Sequence, residues 1–275
     1  MKLLCLDGGG VFGFVQAKVL QDANCYDKFD CLVGTSIGST IAAAIAFDRQ
    51  GQVGQDFFDE WMPKIFNYST IRRLNPFIPL YSDKNLNEAL KTIFSGDVFG
   101  NAKKPLFVTA ANLAACKLKV FNSLDAQDAG LQTWQVLRSA VAGETYFDPW
   151  SGYGDGGVFA NNPSMVGIAA AINVLKVPIN QIEVLSIGTG DRSSPSGQIP
   201  SSLLTWAGWL ADALLTGAAN SMHDYFVRSV GVKRYVRIQF PGEPGWKLDN
   251  VKGMKEAEQW WKPDIANAVI QVRDF

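Results

Sequence analysis

A serine between two glycines is the residue of this chain best placed to do chemistry. Ser36 stands in the segment Gly34–Gly38. The apolar run Cys31–Val33 precedes this segment, and a stretch of helical character, Ser39–Phe47, follows it. Such a strand-to-helix turn needs glycine to relieve crowding, and it presents the serine hydroxyl at the positive end of the helix. The spacing predicts that Ser36 is a nucleophile.

A second glycine-rich segment, Asp7–Gly13, follows the apolar run Lys2–Leu6, which predicts a short buried strand. Consecutive glycines let main-chain N–H groups converge at a helix N-terminus and bind an anion. Acyl transfer needs such a site for the oxyanion of its tetrahedral intermediate. We expect the amides of Gly9 and Gly10 to be the first donors, and that of Gly8 the next.

The same glycines also fit the Gly-x-Gly-x-x-Gly pattern of a dinucleotide-binding fold. That fold needs an acidic residue at the end of its second strand to hold the ribose. Here Asp30 precedes the second predicted strand, and the end of that strand carries Gly34, Thr35 and Ser36. A dinucleotide-binding protein therefore remains an alternative that the position of Asp30 disfavours.

A serine nucleophile needs a base, and the chain has one histidine. His223 lies in a predicted helix with no glycine-rich turn beside it, which favours a packed or surface histidine. Asp155, in the segment Gly154–Gly157, is the best carboxylate candidate, although an Asp-Gly-Gly sequence is also common in plain turns. Asp7 is the other candidate, and we expect it to hold the glycine-rich loop.

An aspartate with its ordinary pKa of about 3.9 is a weak base toward a serine hydroxyl. Burial of Asp155 would raise its pKa, and preorganised amides near Ser36 would stabilise the charge that develops later. We predict a short hydrogen bond between Ser36 and Asp155, with no third side chain that orients the pair.

The order and spacing of these motifs resemble those of the patatin-like phospholipases over about residues 2–190. The motifs are Asp7–Gly10, Gly34–Gly38, Asp155–Gly157, Asn161–Pro163 and Ser186–Gly190. The resemblance implies a three-layer α/β/α sandwich with a mostly parallel central sheet, related to but distinct from the α/β-hydrolases. It also implies hydrolysis of acyl-ester lipids, phospholipids included, by a Ser–Asp dyad with an acyl-enzyme intermediate and no metal or other cofactor.

On this resemblance Ser36 is the nucleophile, Asp155 is the base, and the glycines at 8, 9 and 10 form the oxyanion hole. Two positions depart from the family pattern. Phe12 stands where the family often has arginine, and Glu144 stands where it often has proline, two residues before a Tyr-Phe pair. The first change removes a cation near the helix start, and neither change touches the dyad.

Strands alternating with helices predict a mainly parallel sheet covered on both faces. With no internal repeat or clear linker, we expect a single domain over residues 1–275. The predicted strands are Lys2–Leu6, Cys31–Val33, Leu106–Asn112, Leu118–Asn122, Ile182–Ile187 and Tyr235–Phe240. The predicted helices are Phe14–Asp22, Ser39–Phe47, Phe57–Phe66, Asn85–Phe94, Thr133–Val141, Pro163–Leu175 and Ser221–Val230. Segments 72–81, 152–157 and 191–202 are predicted to be loops.

Composition narrows the function classes. A net charge of −1 and the lack of a cluster of basic residues argue against nucleic-acid binding. Four cysteines without a Cys-x-x-Cys pair, beside a single histidine, argue against a zinc site. The sequence shows no secretory signal and no apolar run of about 18 residues. We therefore expect a cytoplasmic or peripheral membrane protein, with its oligomeric state left open.

A lipid substrate also requires apolar surface. One apolar stretch comprises Trp61, Ile65, Phe66, Phe77, Ile78 and Leu80, and another runs from Leu203 to Leu215. Trp206, Trp209 and Leu210 recur at helical spacing, as in a buried helix face or in a lid that contacts a membrane transiently.

A non-catalytic storage or interaction protein with the same fold remains the second alternative. Head group, acyl position and chain length stay open.

Overall fold

The computed structural model describes residues 1–68, 72, 74–75, 77–191, 201–202, 205–206, 218–242 and 246–275. Within these residues a central sheet of seven strands runs through the molecule. The strands are β1 (Lys2–Leu6), β2 (Cys31–Thr35), β3 (Leu106–Asn112), β4 (Lys117–Asn122), β5 (Tyr153–Asp155), β6 (Glu183–Ile187) and β7 (Arg234–Ile238).

Six strands lie side by side in the order β4-β3-β2-β1-β6-β7. Strands β1, β2, β3, β6 and β7 pair in parallel, while β4 and β5 both pair antiparallel with β3. The carboxyl ends of the parallel strands therefore meet at one edge of the sheet, where α/β folds place their sites. The predicted mostly parallel sheet is confirmed.

Helices cover both faces of the sheet. They are α1 (Phe14–Ala23), α2 (Ile37–Ala46), α3 (Gln55–Ile65), α4 (Asp83–Phe94), α5 (Ala126–Ala129), α6 (Thr133–Ala140), α7 (Gly157–Ala160), α8 (Ser164–Asn173), α9 (Ala218–Ser229), α10 (Val251–Trp260) and α11 (Lys262–Asp274). Side chains alternate along β1, so Leu4 and Leu6 join one core cluster while Leu3 and Cys5 join the other. This arrangement confirms the three-layer α/β/α sandwich.

Two predicted boundaries were wrong near the site. Strand β2 continues to Thr35 and helix α2 already begins at Ile37, so Ser36 alone forms the turn between them. The predicted loop at 152–157 instead contains β5 and the start of α7. Glycine-rich sequence favours a turn, but here pairing with β3 decides the backbone conformation.

The two carboxyl-terminal helices were not predicted, and they support the glycine-rich loop. Trp261, between α10 and α11, stacks on Phe14 with ring centroids 5.8 Å apart and donates its indole N–H to the Pro241 carbonyl at 2.8 Å. Phe12 is buried against Trp246, with ring centroids 5.3 Å apart. The residue that replaces the family's arginine therefore completes an aromatic cluster.

Some predictions concern residues that the structure does not describe. Of the predicted lid face, Trp209 and Leu210 lie outside the described residues, as do Leu203, Leu204, Leu214, Leu215 and residues 192–200. Trp206 is described and is 46% exposed. In the described part of the chain, no helix has both the length and the apolar composition needed to cross a bilayer.

Candidate active site

The register of β3 brings Ser36 and Asp155 together. Thr35, the last residue of β2, pairs with Thr109 of β3, and the next β3 residue pairs with Asp155 of β5. Strand β5 therefore begins to pair with β3 at the residue after the last pair between β2 and β3, which is where the chain leaves β2 at Ser36. The Ser36 hydroxyl donates a hydrogen bond to Asp155 Oδ2 at 2.5 Å, so the predicted contact is present.

The backbone at Ser36 is held in an uncommon conformation. Its φ is 52° and its ψ is −129°, in a region that non-glycine residues seldom adopt and that costs about 1–3 kcal/mol. Close packing over β1 maintains the turn, because a Cβ atom on Gly38 would lie 2.3 Å from the Leu6 carbonyl oxygen. The hydroxyl therefore stands at the N-terminus of α2, as the sequence predicted.

Asp155 is buried, and its environment shifts its pKa toward neutrality. Burial raises the pKa to about 6, while hydrogen bonds from Ser36 and from the Gly157 N–H partly oppose the shift. The Gly157 bond to Oδ1 is 2.8 Å long. In the described residues, these are the two hydrogen bonds of the Asp155 carboxylate, and no third side chain orients it. The group can accept a proton from serine more readily than an ordinary aspartate.

The glycine-rich loop leaves two main-chain donors beside Ser36. The Gly8 N–H donates to the Asn161 carbonyl at 3.1 Å, and the Val11 N–H donates to the Leu248 carbonyl at 2.9 Å. Among the described residues, the N–H groups of Gly9 and Gly10 have no hydrogen-bond partner. Gly10 has a φ of +57° and lies against the Leu248 carbonyl, so a side chain there would be strained and obstructed.

The other candidate carboxylate, Asp7, is engaged elsewhere. Its two oxygens accept from the Arg237 guanidinium at 2.9 and 2.5 Å, and both side chains are almost fully buried. Burial raises the pKa of Asp7, whereas the charge and hydrogen bonds of Arg237 lower it. The pair ties the start of the glycine-rich loop to β7. Sequence analysis missed Arg237, although an arginine within an otherwise largely apolar strand was the available clue.

Neither His223 nor Asp30 is placed for the chemistry of the alternatives. His223 is buried, and its Nδ1 contacts the Asn162 carbonyl oxygen, which agrees with the prediction of a packed histidine. Asp30 accepts a hydrogen bond from the Lys2 N–H at 2.7 Å, at the amino end of the strands. A ribose at the carboxyl edge would therefore not meet this carboxylate.

Two cavities meet at Ser36. One has an apolar lining that includes Ile37 of α2, Phe57 and Met62 of α3, and Leu86 and Ala89 of α4. The other is lined by Gly9, Ser36, Gly143, Glu144, Tyr146, Asp155, Gly157, Asn161 and Leu248. The serine hydroxyl therefore lies between an apolar space and a polar one.

Glu144 introduces a second carboxyl group beside the dyad. Both of its oxygens are buried without a hydrogen bond of regular geometry to a described residue, although the backbone N–H groups of Glu144 and Asp155 lie near enough to oppose part of the shift in its pKa. Burial and the charge of Asp155 raise the pKa of Glu144 to about 8. Sequence analysis noted this residue only as a departure from the family pattern, because its position beside Asp155 depends on the fold.

The site thus combines a mostly parallel sheet, a strained serine directly after β2 and a carboxylate at the end of β5. The family model of the patatin-like phospholipases matches residues 4–168 of the chain. The chain belongs to this family, and the resemblance inferred from its motifs is confirmed. Family membership supports lipid acyl hydrolase activity.

Relatives with described activities match much of the chain. The cGAMP-activated phospholipase of Vibrio cholerae is 26% identical over 76% of this chain and 69% of its own length. The 85/88 kDa calcium-independent phospholipase A2 of Rattus norvegicus is 27% identical over 72% of this chain and 28% of its own length. The chain thus spans about two thirds of the bacterial relative and less than a third of the mammalian one.

A solved structure supports the fold. VipD from Legionella pneumophila aligns with 99% of this chain and 66% of its own, at a TM-score of 0.50 and 12% sequence identity. At this identity the likeness concerns the fold alone.

Proposed function

We propose that this chain is a lipid acyl hydrolase of the phospholipase A type, working as one domain through Ser36 and Asp155. The observation that carries the proposal is the 2.5 Å hydrogen bond between the two side chains, at the meeting point of an apolar and a polar cavity. The family and its phospholipase relatives supply the substrate class, acyl-ester lipids. The substrate's ester carbonyl would lie over Ser36.

In the proposed first step, Ser36 Oγ attacks the ester carbonyl carbon while its proton passes to Asp155 Oδ2. The carbonyl oxygen becomes an oxyanion, which accepts hydrogen bonds from the N–H groups of Gly9 and Gly10. Each such donor is worth about 10²–10³ in rate. The Gly8 amide, which already donates to Asn161, would instead hold the loop in place.

Collapse of the tetrahedral intermediate breaks the bond between the carbonyl carbon and the leaving oxygen. Asp155 returns its proton to that oxygen, which releases the alcohol and leaves the acyl group on Ser36. Water then repeats the sequence: Asp155 accepts its proton, the tetrahedral intermediate forms again, and Ser36 leaves with the proton that Asp155 returns. The fatty acid is the second product.

The apolar cavity is the proposed site of the acyl chain. It opens at Ser36 and includes Ile65 and Phe66, two members of the apolar stretch that the sequence marked. Its helices bury large apolar side chains, so an aliphatic chain would displace little ordered polar surface there. The polar cavity would then receive the alcohol part of the ester.

We also propose transient contact with a membrane surface near the apolar cavity. Leu74 and Phe77 are 78% and 92% exposed, and Phe66, which lines the cavity, packs on Tyr81 with ring centroids 5.2 Å apart. Exposed aromatic and aliphatic side chains favour the membrane boundary. Phe77→Ala should reduce liposome cosedimentation more than Trp206→Ala does. Equal binding by wild type and Phe77→Ala would contradict this placement.

Labelling and product analysis test the function. A fluorophosphonate ester should label the wild type and leave Ser36→Ala unlabelled, whereas a non-catalytic scaffold would not react at all. Mass spectrometry of mixed phospholipids should then show free fatty acid with wild type, and little or none with Ser36→Ala or Asp155→Asn. Ser229→Ala, which removes an exposed hydroxyl on α9, is the matched control. Fatty acid release by Ser36→Ala would overturn the proposal.

A further inference from the structure

The polar cavity at Ser36 has an unbalanced charge. Its two carboxyl groups are Glu144 and Asp155, and in the part of the chain that the structure describes it is lined by no lysine, arginine or histidine. Its remaining lining consists of glycine, serine, asparagine, tyrosine and leucine residues. A group entering this cavity therefore meets negative charge with no protein cation to offset it.

Among the ionisable groups near this cavity, Asp155 acts directly on Glu144, because its charge raises the pKa of that carboxyl. Asp155 faces it from β5, Tyr146 lies on its own segment, and Asp249 follows Leu248 on the segment that covers the glycine-rich loop. Asp249 itself accepts a hydrogen bond from the Tyr81 hydroxyl at 2.5 Å. Two buried arginines among the described residues have other partners: Arg237 pairs with Asp7, and Arg138 of α6 pairs with Asp83 and donates to the Asp148 carbonyl. The side chains named here therefore place no positive charge beside Glu144, and only the backbone N–H groups of Glu144 and Asp155 favour its charged form.

The proposed orientation of the substrate places its leaving alcohol beside this charge, so the site can select between alcohols of different charge. With the acyl chain in the apolar cavity, the leaving alcohol occupies the side of Ser36 that Glu144 lines. A negative charge on that alcohol would lie within a few ångströms of a buried carboxylate, where repulsion is weakly screened. An uncharged alcohol avoids this repulsion, and the more distant cation of a zwitterionic alcohol offsets part of it.

We propose that Glu144 determines specificity by excluding esters whose leaving alcohol carries net negative charge close to the scissile bond. This inference rests on the proposed function and names the substrate class of the same site: acyl esters of alcohols without net negative charge. Discrimination arises from an unfavourable interaction with the wrong substrate. Glu144 takes no part in proton transfer to or from Ser36.

The experiment compares two soluble esters that share an acyl chain, 1-octanoylglycerol and 1-octanoylglycerophosphoglycerol. The second carries one phosphodiester charge that stays constant between pH 6 and pH 9. The kcat/KM ratio of the neutral to the anionic ester is measured for wild type, Glu144→Gln, Glu144→Asp and Glu88→Gln. Glu88 is exposed on α4 and lines neither cavity, so its substitution changes net charge without changing the site.

The wild type should prefer the neutral ester, and Glu144→Gln should lower that preference about tenfold at pH 9, where the carboxyl is ionised. The loss should shrink at pH 6.5, because burial and the charge of Asp155 raise the pKa of Glu144 to about 8. Glu144→Asp and Glu88→Gln should keep the wild-type preference.

Two outcomes overturn the inference and separate it from the proposed function. If the wild type hydrolyses both esters with a ratio that Glu144→Gln leaves unchanged at pH 9, the specificity role is wrong while the hydrolase stands. If the wild type hydrolyses neither ester and a fluorophosphonate leaves Ser36 unlabelled, the proposed function fails and this inference fails with it.

Discussion

The two cavities at Ser36 are built from different kinds of structure. Helices α2, α3 and α4 form most of the apolar cavity, and its side chains belong to the larger core cluster. Loop segments and the short strand β5 form the polar cavity. In the proposed function, this contrast would orient the ester, with the acyl part on the core-like side and the alcohol on the loop side.

The two sides also differ in what they contribute to stability. Burial of apolar side chains on the helical side stabilises the fold by about 25 cal/mol per Å² of surface removed from water. The polar side contains Ser36 with its positive φ and Glu144 with two buried oxygens that lack hydrogen bonds of regular geometry to described residues. Buried polar groups without partners lower the free energy of unfolding, so the groups that carry the chemistry of the polar cavity also reduce the stability of the fold.

Replacement of Asp155 by asparagine, on the polar side, should cause the largest loss of activity. The variant keeps the shape but removes the proton acceptor, so kcat should fall by about 10²–10⁴. In the wild type, kcat/KM should rise as pH increases through about 6, because the buried carboxyl is protonated below its raised pKa. A pH–rate profile of both proteins measures the two effects.

Asp148→Asn is the control for this prediction, because Asp148 is exposed close by in the chain. It should keep both the wild-type rate and the wild-type pH profile. Full activity in Asp155→Asn would assign the base to another group.

Filling the apolar side should change chain-length preference and leave the chemistry intact. Ala89 is buried on α4 and lines the apolar cavity, so Ala89→Leu would shorten the space for the acyl chain. We expect kcat/KM to fall about tenfold for long acyl chains and to change little for short ones, as is typical of pockets altered by a few methylene groups. A series of esters from butanoyl to hexadecanoyl provides the measurement.

Thr92→Leu adds a similar side chain on the exposed face of the same helix and should leave the chain-length profile unchanged. An equal loss for all chain lengths in Ala89→Leu would place the acyl chain outside this cavity.

The smallest effect concerns the stability of the polar side. The raised pKa of Glu144, about 8, means that the folded state favours its protonated form. Stability from this group is present at low pH and is lost as pH rises toward 8, because the unfolded chain ionises first. Glu144→Gln should therefore melt a few degrees above wild type at pH 9, with a smaller gap at pH 5. A constant gap across this range would place the Glu144 carboxyl in water.

The sequence predicted the parts of the site that depend on local geometry. Ser36 and the glycines at 8, 9 and 10 stand in short turns whose shape only small residues allow. The residue types alone therefore indicate where these turns lie. Asp155 was predicted in the same way and does contact Ser36, but the pairing that aligns β5 with the end of β2 joins residues far apart in the chain. Local patterns carry no information about such a register.

The same limit explains what sequence analysis missed. The contact of Arg237 with Asp7 spans 230 residues, and the position of Glu144 beside Asp155 requires the folded loop. Helix α11 did carry a readable pattern, with Pro263 in its first turn and apolar residues at 265, 268, 269 and 272. Its role, which is to help enclose the aromatic cluster behind the glycine-rich loop, follows only from packing.

The most direct measurement is the site of the covalent intermediate. A short-chain activated ester is mixed with the wild type and quenched in acid within the first turnover, and the acylated peptide is mapped by mass spectrometry. We predict one acyl group on the peptide that contains Ser36, and none in Ser36→Ala. Acylation at another residue, or ester hydrolysis by Ser36→Ala at the wild-type rate, would contradict the role given to this serine.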